Sequence, residues 1–207
     1  MMNKLFGFLE LKELPVPSVD WKEFKQGTVL DSNKLWTVRT AVVSGNDTSL
    51  PRMVGKSAEE CMNFGNSLVK NYGKNMMVVY YPFFHAVKSG TMLVSDIDAI
   101  IECVEGNLWD LVDNHKIDHR FKISVSGRVV NYMDNVDFLT KEEIKLLHKN
   151  FEKVRKYFSK SLRANELVLL EWSFAKDCNS MGNPVGDSRL MFYEVRTVSG
   201  NKIYDLF

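Results

Sequence analysis

Apolar positions along the chain fall into short runs whose spacing switches between two and about 3.6 residues, the mark of strands mixed with helices. The first forty residues read as short elements broken by Pro15, Pro17 and Gly27, leading into a strand over 35–43. Residues 44–56, rich in Gly, Asn, Asp, Ser and Pro, predict a loop. Ser57 and Glu60 then form a capping-box pattern for a helix running to about Tyr72. Apolar strands are expected over 76–84, 90–94 and 99–104, followed by a helical or turn segment over 107–113 and a hairpin around Gly127. Thr140 and Glu143 repeat the capping box. Behind them Ile144, Leu147, Phe151, Val154 and Phe158 make one apolar stripe at helical spacing, which is core packing. Two last apolar runs, 167–174 and 190–198, flank a turn-rich stretch at 177–188 and read as a hairpin of core strands.

That hairpin carries charges an ordinary buried strand lacks. Glu194 and Arg196 are two residues apart and share a strand face, and Glu171 can reach that face from the neighbouring strand. Burying such groups costs several kcal/mol each unless they are paired or hold a ligand. Two purposes compete: a structural Glu–Arg pair, or a metal and phosphate site with carboxylates for Mg²⁺ and an arginine for a phosphoryl group.

Composition narrows the classes. A chain of 207 residues with 45% hydrophobic content can build a core for one domain or two packed lobes. Lys and Arg number 27 against 26 Asp and Glu, so no nucleic-acid surface is expected. Cys61, Cys103 and Cys178 are widely spaced, with no Cys-x-x-Cys and no secretory signal, which favours a reduced, cytoplasmic setting. The apolar run over 76–84 contains Pro82 and is far too short for the roughly 20 residues of a membrane span. His115 and His119 lack the glutamate of a His-Glu-x-x-His site, so zinc is not expected. Lys56 precedes a helix start, where backbone N–H groups favour an anion, but Leu50 stands where a Walker loop needs glycine.

Several motifs occur in a fixed order over residues 14–198: Leu14-Pro-Val-Pro17, Val38-Arg39-Thr-Ala41, Tyr80 to Phe84 with Lys88-Ser-Gly-Thr-Met92, Leu139-Thr-Lys-Glu-Glu-Ile144, Glu171-Trp172 and Glu194-x-Arg196. In that order they resemble the nucleotide-binding domain of the phosphoenolpyruvate synthase and pyruvate phosphate dikinase family, an ATP-grasp fold. The resemblance implies an α/β (α+β) architecture of two lobes, with mostly antiparallel sheets and flanking helices. A reduced N-terminal lobe would occupy 1–75 and an ATP-grasp lobe 76–207, together one nucleotide-binding unit. ATP and Mg²⁺ are the cofactors it implies. Tyr80, Tyr81, Pro82 and Phe83 would form the hinge against the adenine, offering backbone hydrogen bonds. Arg39 and Lys56, with Arg52 nearby, would contact phosphates, Glu171 and Glu194 would hold the metal, and Arg196 would be the catalytic contact to the terminal phosphates.

The implied function is that of a phosphotransferase, or its nucleotide-binding component, with a small molecule or a separate protein as phospho-acceptor. The alternative is a degenerate, non-catalytic nucleotide-sensing or protein-interaction module, which the shortened N-terminal lobe supports. Eleven residues follow Arg196, so the family's phosphohistidine domain and phosphoenolpyruvate-binding barrel are expected to be absent from this chain. Glu194 stands where the family has Gln. A second carboxylate about 5 Å from a phosphate oxygen repels it by roughly 3 kcal/mol at an effective dielectric near 20, so a divalent cation should be required.

Overall fold

The protein is described from a computed structural model over residues 4–42, 50–72, 76–112, 114–133 and 135–199. The elements in chain order are α1 (Lys4–Glu13), β1 (Lys22–Glu23), β2 (Trp36–Val42), β3 (Arg52–Lys56), α2 (Ala58–Tyr72), β4 (Met76–Pro82), β5 (Phe84–Val94), β6 (Asp98–Glu105), α3 (Trp109–Val112), β7 (His119–Ser124), β8 (Val129–Asn131), α4 (Lys141–Tyr157), α5 (Ser159–Arg163), β9 (Glu166–Cys178) and β10 (Pro184–Ser199). They form a four-stranded sheet in the order β1-β4-β2-β3 and a six-stranded sheet in the order β10-β9-β5-β6-β7-β8. Every strand pairing is antiparallel. The α+β class of two antiparallel sheets with flanking helices is the one expected. Among the described residues no helix is long and apolar enough to cross a membrane.

Both capping boxes form. Glu60 N–H donates to Ser57 Oγ at 3.3 Å while Ser57 N–H donates to the Glu60 carboxylate at 3.1 Å. At α4, Glu143 receives the Thr140 N–H at 2.7 Å and also the Lys88 ammonium at 2.8 Å, so one side chain starts the helix and ties it to β5. The α4 stripe buries Leu147, Phe151, Val154 and Phe158 on one face of the large sheet, against Val168, Leu170, Trp172 and Phe174 of β9. The odd-numbered residues of β9 point the other way, with Ala175 joining a core of Phe8, Val19, Trp21, Val79 and Tyr81 between the sheets. Gly90 lies opposite Trp172 in the β5–β9 ladder, and a Cβ there would overlap the indole and the Glu102 carbonyl. The Ser-Gly-x-Met and Glu-Trp motifs therefore meet as a packing unit.

Three expectations change. The first forty residues begin with a true helix, α1, whose apolar residues lie on both sides: Phe8 and Leu11 are buried while Phe6 and Leu9 are exposed, so no amphipathic period marks it. Gly7 lets α1 cross β10, because a Cβ would strike the Val195 carbonyl. Residues 52–56, expected as loop, form the edge strand β3, held by the β2 ladder. The break between sheets falls one strand later than the 75/76 division. β4 carries seven ladder partners on β2, and the chain passes to the second sheet at Phe83. The ladder with β2 places β4 in the first sheet.

Replacing Gly90 by alanine should cost about 1–3 kcal/mol by overpacking Trp172. Urea unfolding is expected to show a lower midpoint at an unchanged slope, and a parental midpoint would remove Gly90 from the packing argument.

Candidate functional site

The charged hairpin faces a cavity because of one irregularity. From Leu190 to Phe192 the β10 register follows β9 residue for residue, but between Phe192 and Glu194 it slips by one, leaving Tyr193 as the extra residue of a bulge. Without the slip Glu194 would oppose Leu170 and enter the α4-facing core. With it, Glu194 opposes Glu171, Arg196 follows on the same face, and Val195 takes the core position. The face-sharing expected of Glu171, Glu194 and Arg196 is realised through this bulge.

Glu194 does not pair with Arg196. Its Oε2 receives Arg39 Nη2 at 2.8 Å, and Arg39 comes from β2 of the other sheet. The side chains are 14% and 9% exposed, so this is an interior pair joining the two sheets. Burial by itself would lower the Arg39 pKa, but Tyr81, Glu194 and Glu171 outweigh it and the net shift is upward. Tyr81 is itself raised by burial, so at neutral pH it acts on Arg39 as a neutral hydrogen-bond partner, and the carboxylates supply the charge. Burial also raises Tyr193, with Glu171 adding to the effect.

These residues border a cavity of about 650 Å³ between the sheets. Its charged wall contains Arg39, Arg196, Glu171 and Glu194, and its aromatic wall contains Tyr81, Phe83 and Phe84. Arg52 and Val54 of β3 and Trp109 and Val112 of α3 complete the lining. Arg196 is exposed into this space and has no ion-pair partner among the described residues. Of the expected hinge, Tyr81 and Phe83 line the cavity. Tyr80 turns to the opposite face and packs on Trp36 and Phe24, and Pro82 has no N–H to offer. The Phe83 N–H already donates to the Leu35 carbonyl at 2.9 Å. Lys56 is exposed at the end of β3, outside the cavity wall. Residues not anticipated from the sequence are Trp109, Tyr193, and the paired hydroxyls of Ser89 and Ser173, 2.8 Å apart on the cavity floor, with Ser89 donating to the Gly106 carbonyl at 2.6 Å. The three-residue gap from Phe192 to Val195 in the core-facing series was the sequence signal for the bulge.

Among the described residues no three His, Cys, Asp or Glu side chains are grouped to hold a metal alone. Two carboxylates on one wall, one of them half-engaged by Arg39, fit instead a hard cation that completes its shell with ligand oxygens, as Mg²⁺ does with phosphates.

No protein-family model matches the sequence, and no curated protein matches it. Solved structures share its fold. The dinucleotide forming acetyl-coenzyme A synthetase 1 of Ca. Korarchaeum cryptofilum, in complex with coenzyme A, Ca-AMPCP and HgCl+, superposes with a TM-score of 0.50 at 8% identity, over 96% of this chain and 93% of that one. The D-alanine-D-alanine ligase of Coxiella burnetii gives 0.47 at 11% identity over 96% and 48%, and the macrocyclase MdnC of Microcystis aeruginosa 0.44 at 10% over 93% and 50%. The chain spans about half the length of these last two. The likeness to the acetyl-coenzyme A synthetase structure is one of fold, an α+β arrangement shared along nearly the whole of both chains.

Removing either member of the inter-sheet pair should strand the other. Arg39→Met or Glu194→Leu alone is expected to lose about 3 kcal/mol, while the double variant recovers much of it. Chemical denaturation of the four-member cycle gives the coupling energy, and purely additive losses would show that the pair does not join the sheets.

Proposed function

We propose that this protein binds ATP together with Mg²⁺ in the cavity between its sheets and serves a phosphotransferase reaction, as the enzyme or as its nucleotide-binding component. One observation carries the reading: Arg39, Arg196, Glu171 and Glu194 converge from both sheets on a single wall of a 650 Å³ cavity in an ATP-grasp-like fold. The volume lies within the range of small-ligand sites, roughly 300–1,000 Å³. The acetyl-coenzyme A synthetase neighbour was solved with Ca-AMPCP, and a metal–nucleotide complex is the occupant assigned here by analogy. Kinship with phosphoenolpyruvate synthase rests on the ordered motifs, of which Glu171-Trp172 and Glu194-x-Arg196 belong to this wall.

In this reading the adenine lies against Phe83 and Phe84, whose rings stack 6.4 Å apart, held by their faces and not by hinge N–H groups. The phosphates run toward Arg196. Glu171, with the Glu194 oxygen that Arg39 leaves, would hold Mg²⁺, which supplies the positive charge that makes carboxylates and phosphates compatible neighbours. Arg39 sets the orientation of Glu194, and Arg196 is the side chain free to clamp phosphate oxygens. The acceptor is a small molecule or a separate protein.

Differential scanning of the thermal transition tests the binding. ATP with Mg²⁺ at 100 times its dissociation constant should add about 2.7 kcal/mol, a rise of roughly 5–10 °C for a chain of this size. Mg²⁺ alone should do nothing, EDTA should remove most of the ATP effect, and CTP should substitute poorly. Undiminished stabilisation in EDTA would sink the metal assignment of Glu171 and Glu194.

Arg196→Ala tests the chemistry. The variant should melt like the parent, because Arg196 is exposed, yet lose phosphoryl transfer or ATP hydrolysis by about 10³-fold. Lysine should not restore it, since the charge returns without the planar fork. Parental turnover in Arg196→Ala would remove this side chain from the reaction.

A further inference from the structure

Arg39 and Arg52 are direct partners across the β2–β3 ladder, and both face the cavity. Like charges so placed oppose each other unless something intervenes. Arg39 is neutralised by Glu194, but Arg52 has no carboxylate partner among the described residues. Its guanidinium carbon instead lies 3.7 Å from the ring centroid of Trp109, stacked on the indole face. The two residues come from different elements, β3 and the start of α3, and their stack lies in the lining of the cavity. Trp109 is held for this contact: its N–H is capped by the Asn107 side chain at 3.0 Å, and the preceding Gly106 carbonyl is tied down by Ser89.

We propose that Arg52 is a reserve anion ligand of the cavity, parked on Trp109 and handed over to the phosphate chain of an entering ligand. The inference rests on the phosphate-binding reading of the same cavity and adds a regulated entry step. A cation–π contact at a partly exposed site is weak beside a charge-assisted, two-pronged arginine–phosphate bond, so a polyphosphate outcompetes the indole. The handover leaves Arg39 with its carboxylate and brings Arg52 onto the ligand, which removes the cross-strand repulsion. Trp109 thus acts as a competitor whose loss favours the anion, the reverse of what a stacking wall for the ligand would do.

Calorimetric titration with inorganic tripolyphosphate in the presence of Mg²⁺ separates these roles. Arg52→Gln should weaken binding about tenfold, whereas Trp109→Ala, which frees Arg52, should tighten it about two- to fivefold. Trp109→Phe keeps a π face and should stay near the parent. Fluorescence supplies a second readout, because Trp21, Trp36 and Trp172 are buried and Trp109 is 38% exposed. Tripolyphosphate should change the emission of the parent, the change should vanish in Trp109→Phe, and Arg52→Gln should show altered emission before any anion is added. Thermal scans of each variant confirm that the fold is intact. An unchanged or weakened tripolyphosphate affinity in Trp109→Ala overturns the handover. So does ATP–Mg²⁺ binding that Arg52→Gln leaves untouched, an outcome in which the nucleotide reading survives. If tripolyphosphate behaves as stated but ATP binds no better than it, the handover stands and the adenine assignment fails. Absence of any anion binding overturns the handover as well.

Discussion

An arginine of one sheet and a glutamate of the other, Arg39 and Glu194, meet in the interior at 2.8 Å, and the arrangement of the two sheets follows from that contact. Neither charge could remain there alone, since an uncompensated buried ion costs far more than a typical contact contributes. The pair therefore sets a fixed point between β2 and β10, while the apolar residues around it, Phe8, Val79 and Met191, provide area without direction. A buried ion pair is weak evidence for stability but good evidence for register. Here it holds the sheets at a spacing that leaves a cavity beside it, where close apolar packing would have closed the gap.

The pair depends in turn on the Tyr193 bulge. An unbroken β10 would alternate strictly, and a glutamate two residues after Phe192 would share its helix-facing side, among Leu147, Phe151 and Leu170. One extra residue exchanges the faces and sends Glu194 to Arg39 while Val195 fills the core. Behind the strand, Trp172 lies over Gly90 and α4 packs against that layer, so the platform under the charged wall is rigid. The short segment after α1 adds support at the edge: the Phe192 N–H donates to the Pro17 carbonyl at 2.8 Å and the Val19 N–H to the Phe192 carbonyl at 3.0 Å. The Leu-Pro-Val-Pro stretch thus secures the strand immediately before the bulge.

Elements with a local signature were legible in the sequence. The two capping boxes, the α4 stripe and the β9–β10 hairpin each announce themselves within a few residues. What escaped was set by distant partners. α1 has apolar residues on both sides because it is wedged at the edge of β10, β3 is a strand only because β2 pairs with it, and β4 joins the first sheet through hydrogen bonds that no turn residue foretells. At the site, the shared face of Glu194 and Arg196 followed from strand periodicity, whereas their meeting with Glu171 depends on the one-residue slip at Tyr193. The partner of Glu194 did not follow from periodicity, since Arg39 is 155 residues away in sequence and nothing local distinguishes it from Arg196. Tyr80 and Pro82 illustrate the same point: a hinge motif names a strand, but the strand's alternation decides which of its side chains see the cavity.

The charge pattern that results constrains what the cavity can hold. Arg39, Arg52 and Arg196 face Glu105, Glu171 and Glu194 around one volume, so the walls are nearly balanced by themselves. Beside the Arg39–Glu194 pair, the cavity presents carboxylates at Glu105 and Glu171 and guanidinium groups at Arg196 and Arg52, on different strands. A bare polyanion would be attracted by the arginines and repelled by Glu171, and a bare cation the reverse. In the proposed reading a ligand that carries both charges turns its cation toward the carboxylates and its anionic oxygens toward the arginines. Among the described residues no three acidic, histidine or cysteine side chains are grouped to hold an ion unaided, which is why the proposed occupant brings its own anionic oxygens to complete a cation's shell.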